Sequence, residues 1–275
     1  MMYLVICTVM VINKEISEIK YDVTRFPDGE PQFFLTEELN RKESIDVICR
    51  ISNTEDLFLL MQVGDILDRQ EVEWDLHITY LMSMRMDRVM SFNRPFSLKV
   101  VCNMLNSLGY RNIYVLEAHS SRTFHLLGDR CLPWEFGHHS WIPAQSNIVF
   151  PDHGAKDRYG SNYSHYGYLV FKKERNLETG RIESFEIEES KNCYYSTFVF
   201  IDDLCDAGGT FLGELKVLKE RYPNSKFIII VCHAVNDKGL INMCNNFDQV
   251  IVSNSHRDIN YRPSNENLTV IDVCK

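Results

Sequence analysis

The residue types and spacing that most directly suggest chemistry lie near the middle of the second half of the chain. Two adjacent carboxylates, Asp202 and Asp203, are followed by a third at Asp206. Ionised carboxylates only accept hydrogen bonds, so the pair suits the 2- and 3-hydroxyls of a ribose or the water shell of Mg²⁺. The segment therefore indicates either a polyol site or a magnesium site.

The residues that follow these carboxylates suit a phosphate. Ala207, Gly208 and Gly209 allow a tight turn that aims backbone N–H groups at an anion, and the N-terminus of a following helix adds positive potential. Thr210 is expected to cap that helix and to donate to a phosphate oxygen. A βα loop that merely carries acidic caps is the alternative for this segment.

Two apolar strands and a helix must position this loop. Thr197–Ile201 predicts a buried strand before it, and Lys226–Val231 predicts a second strand after an intervening helix. The helix has four apolar residues on one face, namely Phe211, Leu212, Leu215 and Leu218. In such a unit the loop lies at the carboxyl edge of a parallel sheet, where ligands bind.

Composition narrows the class of protein. The 275 residues are 45% hydrophobic and 12% aromatic, which indicates packed cores, and the formal charge of −9 argues against a nucleic-acid or membrane partner. Nine cysteines without a C-x-x-C pair predict a reduced, cytoplasmic protein. The apolar stretch 3–12 is expected to be a strand, paired with 18–23, rather than a signal peptide.

The N-terminal half contains three further candidate segments, each with a structural alternative. Phe26, Asp28 and Glu30 lie in a Pro/Gly turn and suit a purine, or they form a solvated hairpin turn. Arg85, Asp87 and Arg88 follow a predicted strand (75–82) and suit a triphosphate, or they form a solvated charge cluster. A helix is predicted over 95–109 and a strand over 112–116. His119 follows this strand and is a candidate ligand or a structural histidine.

The order of these segments resembles that of the ribose-phosphate pyrophosphokinases (phosphoribosyl pyrophosphate synthetases). The similarity runs from about residue 20 to about residue 256, and it comprises seven segments in the expected order. They are F-P-D-G-E at 26–30, R-x-D-R at 85–88, His119, P-D-H-G at 151–154, K-E-R at 173–175, the loop 201–210 and the strand 250–255.

The resemblance implies an α/β fold of two pseudo-symmetric domains of the type I phosphoribosyltransferase kind, with parallel sheets flanked by helices. Residues 1–138 would form the ATP-side domain and 139–275 the ribose-phosphate-side domain. The implied reaction transfers the β,γ-diphosphate of ATP to the 1-hydroxyl of a ribose phosphate and releases AMP.

The resemblance also assigns a role to each candidate residue. The ATP-binding set would be Phe26, Asp28, Glu30, Arg85, Asp87 and Arg88. Mg²⁺ would be held by His119 and Asp152, and the catalytic set would be Lys173, Arg175 and His119. Asp202 and Asp203 would bind the ribose, and Asp206, Ala207, Gly208, Gly209 and Thr210 its phosphate. A purine site shared between subunits would require a homo-oligomer, a dimer or a hexamer.

Several residues depart from the family pattern. Ala207 stands where the phosphate loop usually has Thr, and Ser83, Met86 and Glu117 are also altered. The smaller Ala207 leaves room for an acceptor whose 5-phosphate continues into a larger group, so ADP-ribose is expected in place of, or beside, ribose 5-phosphate, as in phage relatives that rebuild NAD⁺. The alternatives are a phosphoribosyltransferase of nucleotide salvage and a non-catalytic regulatory homologue of the synthetases.

Overall fold

The computed structural model describes residues 9–13, 19–36, 39, 44–175 and 182–274, and it divides into two compact units. Unit 1 contains the described residues up to Phe136, with Ser255–Arg257 and the residues from Val273 onward. Unit 2 contains the described residues of Gly137–Asn254 and Asp258–Asp272. Within the described residues, the helices are all too short or too polar to cross a bilayer.

Unit 1 is built on a five-stranded sheet with the order β1-β4-β5-β6-β7 and a separate hairpin, β2-β3. The strands are β1 (Val9–Asn13), β2 (Tyr21–Arg25), β3 (Pro31–Leu35), β4 (Ile45–Ile51), β5 (Trp74–Leu81), β6 (Ile113–Leu116) and β7 (Cys131–Trp134). The helices are α1 (Thr54–Arg69), α2 (Ser97–Leu105) and α3 (Arg122–Leu127). Strands β4 to β7 are parallel, and β1 is antiparallel to β4.

Unit 2 is built on a seven-stranded sheet with the order β10-β9-β8-β11-β12-β13-β14. The strands are β8 (Asn147–Phe150), β9 (Gly167–Arg175), β10 (Ile182–Lys191), β11 (Thr197–Cys205), β12 (Lys226–Ala234), β13 (Gln249–Ser253) and β14 (Leu268–Ile271). The helices are α4 (His153–Tyr159), α5 (Gly209–Arg221) and α6 (Asp237–Asn246), and a short 3-10 helix spans His138–Trp141. Only β10 pairs antiparallel; the other described pairs of this sheet are parallel.

Apolar strands explain why the sheet of unit 2 is buried. The central strands β11 and β12 are near-continuous apolar runs, as expected when helices cover both faces of a parallel sheet. Their core includes the fully buried side chains of Phe198, Phe200 and Ile229. Two parallel sheets flanked by helices confirm the α/β fold that the sequence predicts.

Four local predictions need correction. Strand β1 pairs with β4, whereas β2 pairs with β3, because the tight turn between β2 and β3 closes a local hairpin. Strand β11 continues to Cys205, since its pairing with β12 extends to Ala234, so Asp202 and Asp203 lie within the strand. Helix α5 begins at Gly209 with Gly208 as its N-cap, which places Thr210 inside the first turn. Helix α2 ends at Leu105, before Gly109.

Candidate active site

Three adjacent strands bring the candidate residues of unit 2 to one edge of the sheet. Strands β9, β8 and β11 are parallel neighbours, and Asp152 directly follows β8. Strand β9 continues beyond the end of β8, because Phe150 of β8 pairs with Val170 and Lys173 lies three residues later. Asp202 lies near the end of β11. The carboxyl edge of this sheet therefore gathers residues that are far apart in sequence.

Lys173 and Asp152 form a direct ion pair at this edge. The Lys173 Nζ atom lies 3.0 Å from Asp152 Oδ2, and the lysine side chain is only 15% exposed. Asp152 also caps helix α4, since its Oδ1 accepts a hydrogen bond of 3.0 Å from the Ala155 N–H. Burial disfavours the charged form of Asp152, but the Lys173 cation and the Ala155 N–H outweigh it and lower the pKa of this carboxyl. Asp152 is therefore ionised at neutral pH.

Arg158 bridges the two adjacent carboxylates. Its NH2 atom lies 2.7 Å from Oδ1 of Asp202 and 2.7 Å from Oδ1 of Asp203. The Asp203 side chain is 1% exposed, whereas that of Asp202 is 16% exposed. Burial and the neighbouring Asp203 charge raise the pKa of Asp202 well above its ordinary value, although Arg158 opposes them. The Arg158 cation therefore counteracts protonation of the pair.

A further carboxyl group lies in the core close to this cluster. Glu214 of helix α5 is fully buried, and neither of its carboxyl oxygens accepts a hydrogen bond from the described residues. Burial raises the pKa of Glu214 well above the ordinary value; the Lys173 cation opposes the shift, and the Asp202 and Asp152 charges reinforce it. Glu214 is therefore protonated and neutral over a wide pH range.

The loop 206–210 makes a tight turn that leads directly into helix α5. Gly208 has a φ of 78°, a left-handed conformation that suits glycine, and as the N-cap residue it has no side chain with which to cap α5. The backbone N–H groups of the first turn of α5 are accordingly available to an anion, where the helix dipole also favours negative charge.

Helix α6 supports this loop from behind. The side-chain amide of Asn242 donates a 3.0 Å hydrogen bond to the carbonyl oxygen of Ala207. Gly239 is in close contact with the loop, because a Cβ atom at this position would lie 1.7 Å from the carbonyl oxygen of Asp206. The position of the loop thus depends on the absence of a side chain at residue 239.

Replacing Gly239 by alanine is expected to displace the loop. The Cβ atom would collide with backbone rather than with a flexible side chain, so we expect the affinity for a phosphorylated sugar to fall about tenfold or more. Isothermal titration calorimetry with ribose 5-phosphate checks this. Lys238→Ala, an exposed neighbour on the same helix, is the control, and wild-type affinity in Gly239→Ala would contradict the supporting role of α6.

Two neighbouring strands place the charged residues of unit 1 at the carboxyl edge of its own sheet. Residues 85–88 follow β5, and residues 119–122 follow β6. Arg122 NH1 donates a 2.8 Å hydrogen bond to the backbone oxygen of Asp87. The segment after β5 and the segment that contains His119 are therefore in direct contact.

Asp87 has a supporting position in this cluster. Its side chain is buried, and Oδ1 lies 2.9 Å from Nε of Arg88. Burial opposes ionisation of Asp87, but the hydrogen bonds from Arg88 and the Arg88 and Arg122 charges hold its pKa below the ordinary value. Arg85 and Arg88 are exposed, so the two cations are accessible to a polyanion while Asp87 orients Arg88.

The turn at 26–30 is an exposed hairpin turn. The N–H of Gly29 donates to the carbonyl of Phe26 over 2.8 Å, and Asp28 Oδ1 accepts from the N–H of Glu30 over 3.1 Å. Phe26 is 50% exposed. The ion pair between Arg25 and Glu55 fixes the base of the hairpin to α1. This geometry agrees both with a stacking site for a purine and with the alternative of a solvated turn.

Two catalytic candidates lie outside the described cluster of unit 2, one because of its unit and one because its side chain is not described. His119 lies in unit 1, half-buried after β6, whereas Asp152 and Lys173 lie in unit 2. Arg175 ends strand β9, where its backbone pairs with Ile182, and its side chain is outside the described residues. Residues 176–181, which follow the K-E-R segment, are likewise outside them.

Asp152 is a carboxylate of the kind that Mg²⁺ uses as a ligand. No group of three or more His, Cys, Asp or Glu side chains is placed to hold a metal within the described residues. Mg²⁺ does not need such a cluster, because it usually keeps several waters and binds substrate phosphates together with one or two carboxylates. Asp152, whose side chain is 49% exposed, can supply one of these.

Sequence reasoning overlooked Arg158, Glu214 and the role of helix α6. Glu214 had a detectable signal, because it falls between Phe211, Leu215 and Leu218 on the apolar face of α5. Arg158 had a weaker one, since two adjacent carboxylates at a buried strand end require a nearby cation. The contacts of α6 with the loop left no signal in the sequence, because they depend on tertiary packing.

Comparisons with known proteins point to one family. The chain is 23% identical over 267 residues to the ribose-phosphate pyrophosphokinase of Mycoplasmopsis pulmonis, a match that covers 91% of this chain and 81% of that protein. It is 24% identical over 219 residues to ribose-phosphate pyrophosphokinase 1 of Streptococcus pneumoniae, covering 73% and 66%, respectively. The crystal structure of phosphoribosylpyrophosphate synthetase from Mycobacterium smegmatis matches with a TM-score of 0.70 and 16% identity, over 94% of this chain and 88% of that one. No family model matches the sequence.

Proposed function

Because the chain is a distant homologue of the ribose-phosphate pyrophosphokinases and has their fold, we propose that it transfers the β,γ-diphosphate of ATP to the 1-hydroxyl of a phosphoribosyl acceptor. One observation supports this most strongly. Asp152, Lys173 and the Asp202–Asp203 pair converge on the carboxyl edge of strands β9, β8 and β11, next to an uncapped helix N-terminus. This edge offers a cation for a phosphoryl group, carboxylates for a diol and amides for a phosphate.

The proposed reaction is an in-line displacement at the β-phosphorus of ATP. The anomeric oxygen of the acceptor forms a bond to this phosphorus and loses its proton, while the bond to the α,β-bridging oxygen breaks and AMP leaves. Such chemistry depends on alignment and on neutralisation of charge. Lys173 and Arg175 would neutralise the transferring group, and Asp202 and Asp203 would hold the ribose hydroxyls through hydrogen bonds.

The residues of unit 1 would bind the nucleotide. Arg85 and Arg88 would contact its phosphates, and Phe26, Asp28 and Glu30 would contact the adenine of a nucleotide bound to a second copy of the chain in a homo-oligomer. The exposed position of this turn supports the last assignment. His119 and Asp152 would hold Mg²⁺, which supplies charge neutralisation at the polyphosphate when bound.

The acceptor is proposed to be ADP-ribose in place of, or beside, ribose 5-phosphate. Ala207 is exposed, and it offers no hydroxyl to the loop that would bind the 5-phosphate. A terminal phosphate is a dianion that benefits from every donor, whereas the 5-phosphate of ADP-ribose continues into a diphosphate and needs more space. The small side chain at position 207 favours the larger acceptor.

Replacing Ala207 by threonine is therefore expected to shift the preference towards ribose 5-phosphate. The added hydroxyl supplies one donor to a terminal phosphate, and we expect the KM for ribose 5-phosphate to fall about five- to tenfold. Steady-state kinetics with both acceptors measure this. Ala207→Val is the matched control, because valine has the shape of threonine without the donor. An equal change in both variants would contradict the hydrogen-bond explanation.

An assay for AMP tests the proposed function. The protein is incubated with Mg-ATP and either acceptor, and the nucleotides are separated by chromatography. Acceptor-dependent AMP supports the proposal, and AMP with ribose 5-phosphate alone would defeat the ADP-ribose assignment. Absence of AMP with both acceptors would favour a phosphoribosyltransferase or a regulatory homologue.

A further inference from the structure

Arg158 makes the most extensive charged contact at the edge of the unit 2 sheet. A single nitrogen, NH2, lies 2.7 Å from one oxygen of each carboxylate of the Asp202–Asp203 pair. The arginine side chain is 23% exposed, so this contact is only partly screened by water. Short bonds between a guanidinium and two carboxylates hold all three groups in fixed orientations.

The two carboxylates differ in what they can reach. The Asp203 side chain is 1% exposed and pairs with Arg158 in the protein interior, whereas the Asp202 side chain is 16% exposed. Arg158 and the N–H of Asp203 both donate to Oδ1 of Asp202, at 2.7 and 3.0 Å. The second oxygen of Asp202, Oδ2, is therefore the carboxylate atom of the pair best placed to accept a hydrogen bond from a sugar hydroxyl.

Without Arg158 this arrangement would not persist. Two adjacent carboxylates in a buried setting repel each other and favour sharing a proton, and a protonated oxygen no longer accepts. We propose that Arg158 is a positioning residue for the sugar acceptor, because it holds Asp203 inside and turns Oδ2 of Asp202 towards the acceptor hydroxyls. This inference rests on the proposed function, in which the pair binds the ribose.

Helix α4 also connects this contact to the ion pair of Lys173. Asp152 forms the ion pair with Lys173 and caps the N-terminus of the helix, and Arg158 lies in the last turn of the helix. Arg158 is six positions after Asp152, a rise of about 9 Å along a helix. Helix α4 and its N-cap thus connect Arg158, which contacts Asp202 and Asp203, with Asp152, which contacts Lys173.

The test compares three variants by titration calorimetry with ribose 5-phosphate, ADP-ribose and ATP. Arg158→Met removes the charge while keeping most of the volume, and Arg158→Lys keeps the charge on a shorter side chain. Lys156→Met is the matched control, because it removes the same charge from the same helix at a residue paired with Glu189 instead. Thermal melting confirms that each variant is folded.

We expect Arg158→Met to weaken binding of the preferred sugar phosphate about tenfold or more and ATP less than about threefold. Arg158→Lys should recover part of the loss, and Lys156→Met should bind both ligands as the wild type does. If Arg158→Met does not fold, Arg158→Lys alone tests the inference. It should then bind the sugar phosphate more weakly than the wild type and bind ATP as the wild type does.

Two results would overturn the inference: wild-type acceptor affinity in the Arg158 variants, or an equal loss of ATP and acceptor affinity without rescue by lysine. A wild-type protein that binds the sugar phosphate but makes no AMP would instead defeat the proposed function. The role of Arg158 would still be tested by the affinity of its variants for the sugar phosphate. A wild-type protein that binds neither sugar phosphate would defeat both.

Discussion

Replacing Lys173 by alanine is expected to lower turnover by about 10²–10³-fold, while the dissociation constant for ATP changes little. The lysine side chain is 15% exposed and is held 3.0 Å from Asp152. A cation that is positioned in advance stabilises the charge that develops on the transferring group more than it stabilises the bound nucleotide. Single-turnover kinetics, together with equilibrium binding of ATP, measure the two effects separately.

The neighbouring lysine provides the control for this prediction. Lys172 is exposed and precedes Lys173 in strand β9, so alternation along the strand places it on the other face. Lys172→Ala should keep near-normal turnover. A Lys173→Ala variant whose loss is explained entirely by weaker ATP binding would contradict the catalytic assignment.

Replacing Glu214 by glutamine is expected to stabilise the protein, and increasingly so as the pH rises. Burial raises the pKa of this carboxyl above the ordinary value of 4.5, so the folded chain retains a proton that the unfolded chain releases. The wild-type protein therefore loses stability as the pH rises above 4.5, until the pKa of the folded form is reached. Glutamine has nearly the same shape and does not ionise. We expect a gain in the free energy of unfolding of about 1–3 kcal/mol near pH 8.

Denaturant unfolding of the two proteins across the pH range checks the prediction. The difference between them should shrink towards acidic pH, where Glu214 is protonated in both the folded and the unfolded chain. Glu220→Gln, an exposed change on the same helix, should leave stability and its pH dependence nearly unaltered. A Glu214→Gln variant that is less stable than the wild type near neutral pH would show that an ionised Glu214 supports the fold.

The fold class was predictable because the strands and helices that form the two sheets have strong periodic patterns. The run Thr197–Ile201 and the run Lys226–Val231 both became central strands. The pairing of β1 was not predictable, because strands that are distant in sequence compete with the local hairpin, and periodicity does not determine partners. The continuation of β11 through Asp202 and Asp203 depends on pairing with β12, which outweighs the low strand propensity of aspartate.

The motif residues of the candidate site were predictable from the sequence, whereas the residues that hold them in position were not. Motif residues such as Asp152 and Lys173 are recognisable by type and order, and the sheet brings them into contact. Arg158, Glu214 and Gly239 were missed because their importance comes from what they touch: two carboxylates, an apolar core and a backbone carbonyl. The meeting of residues from β9, β8 and β11 follows from strand order, which the sequence alone does not determine.

Phosphorus-31 NMR of the reaction between Mg-ATP and the acceptor tests the central claim most directly. An attack on the β-phosphorus predicts AMP and, in equal amount, a new diphosphate ester on the anomeric carbon with two mutually coupled signals. Formation of ADP with a sugar monophosphate ester would contradict the claim, because it shows attack at the γ-phosphorus. Release of free pyrophosphate with AMP, without a new ester, would equally contradict it.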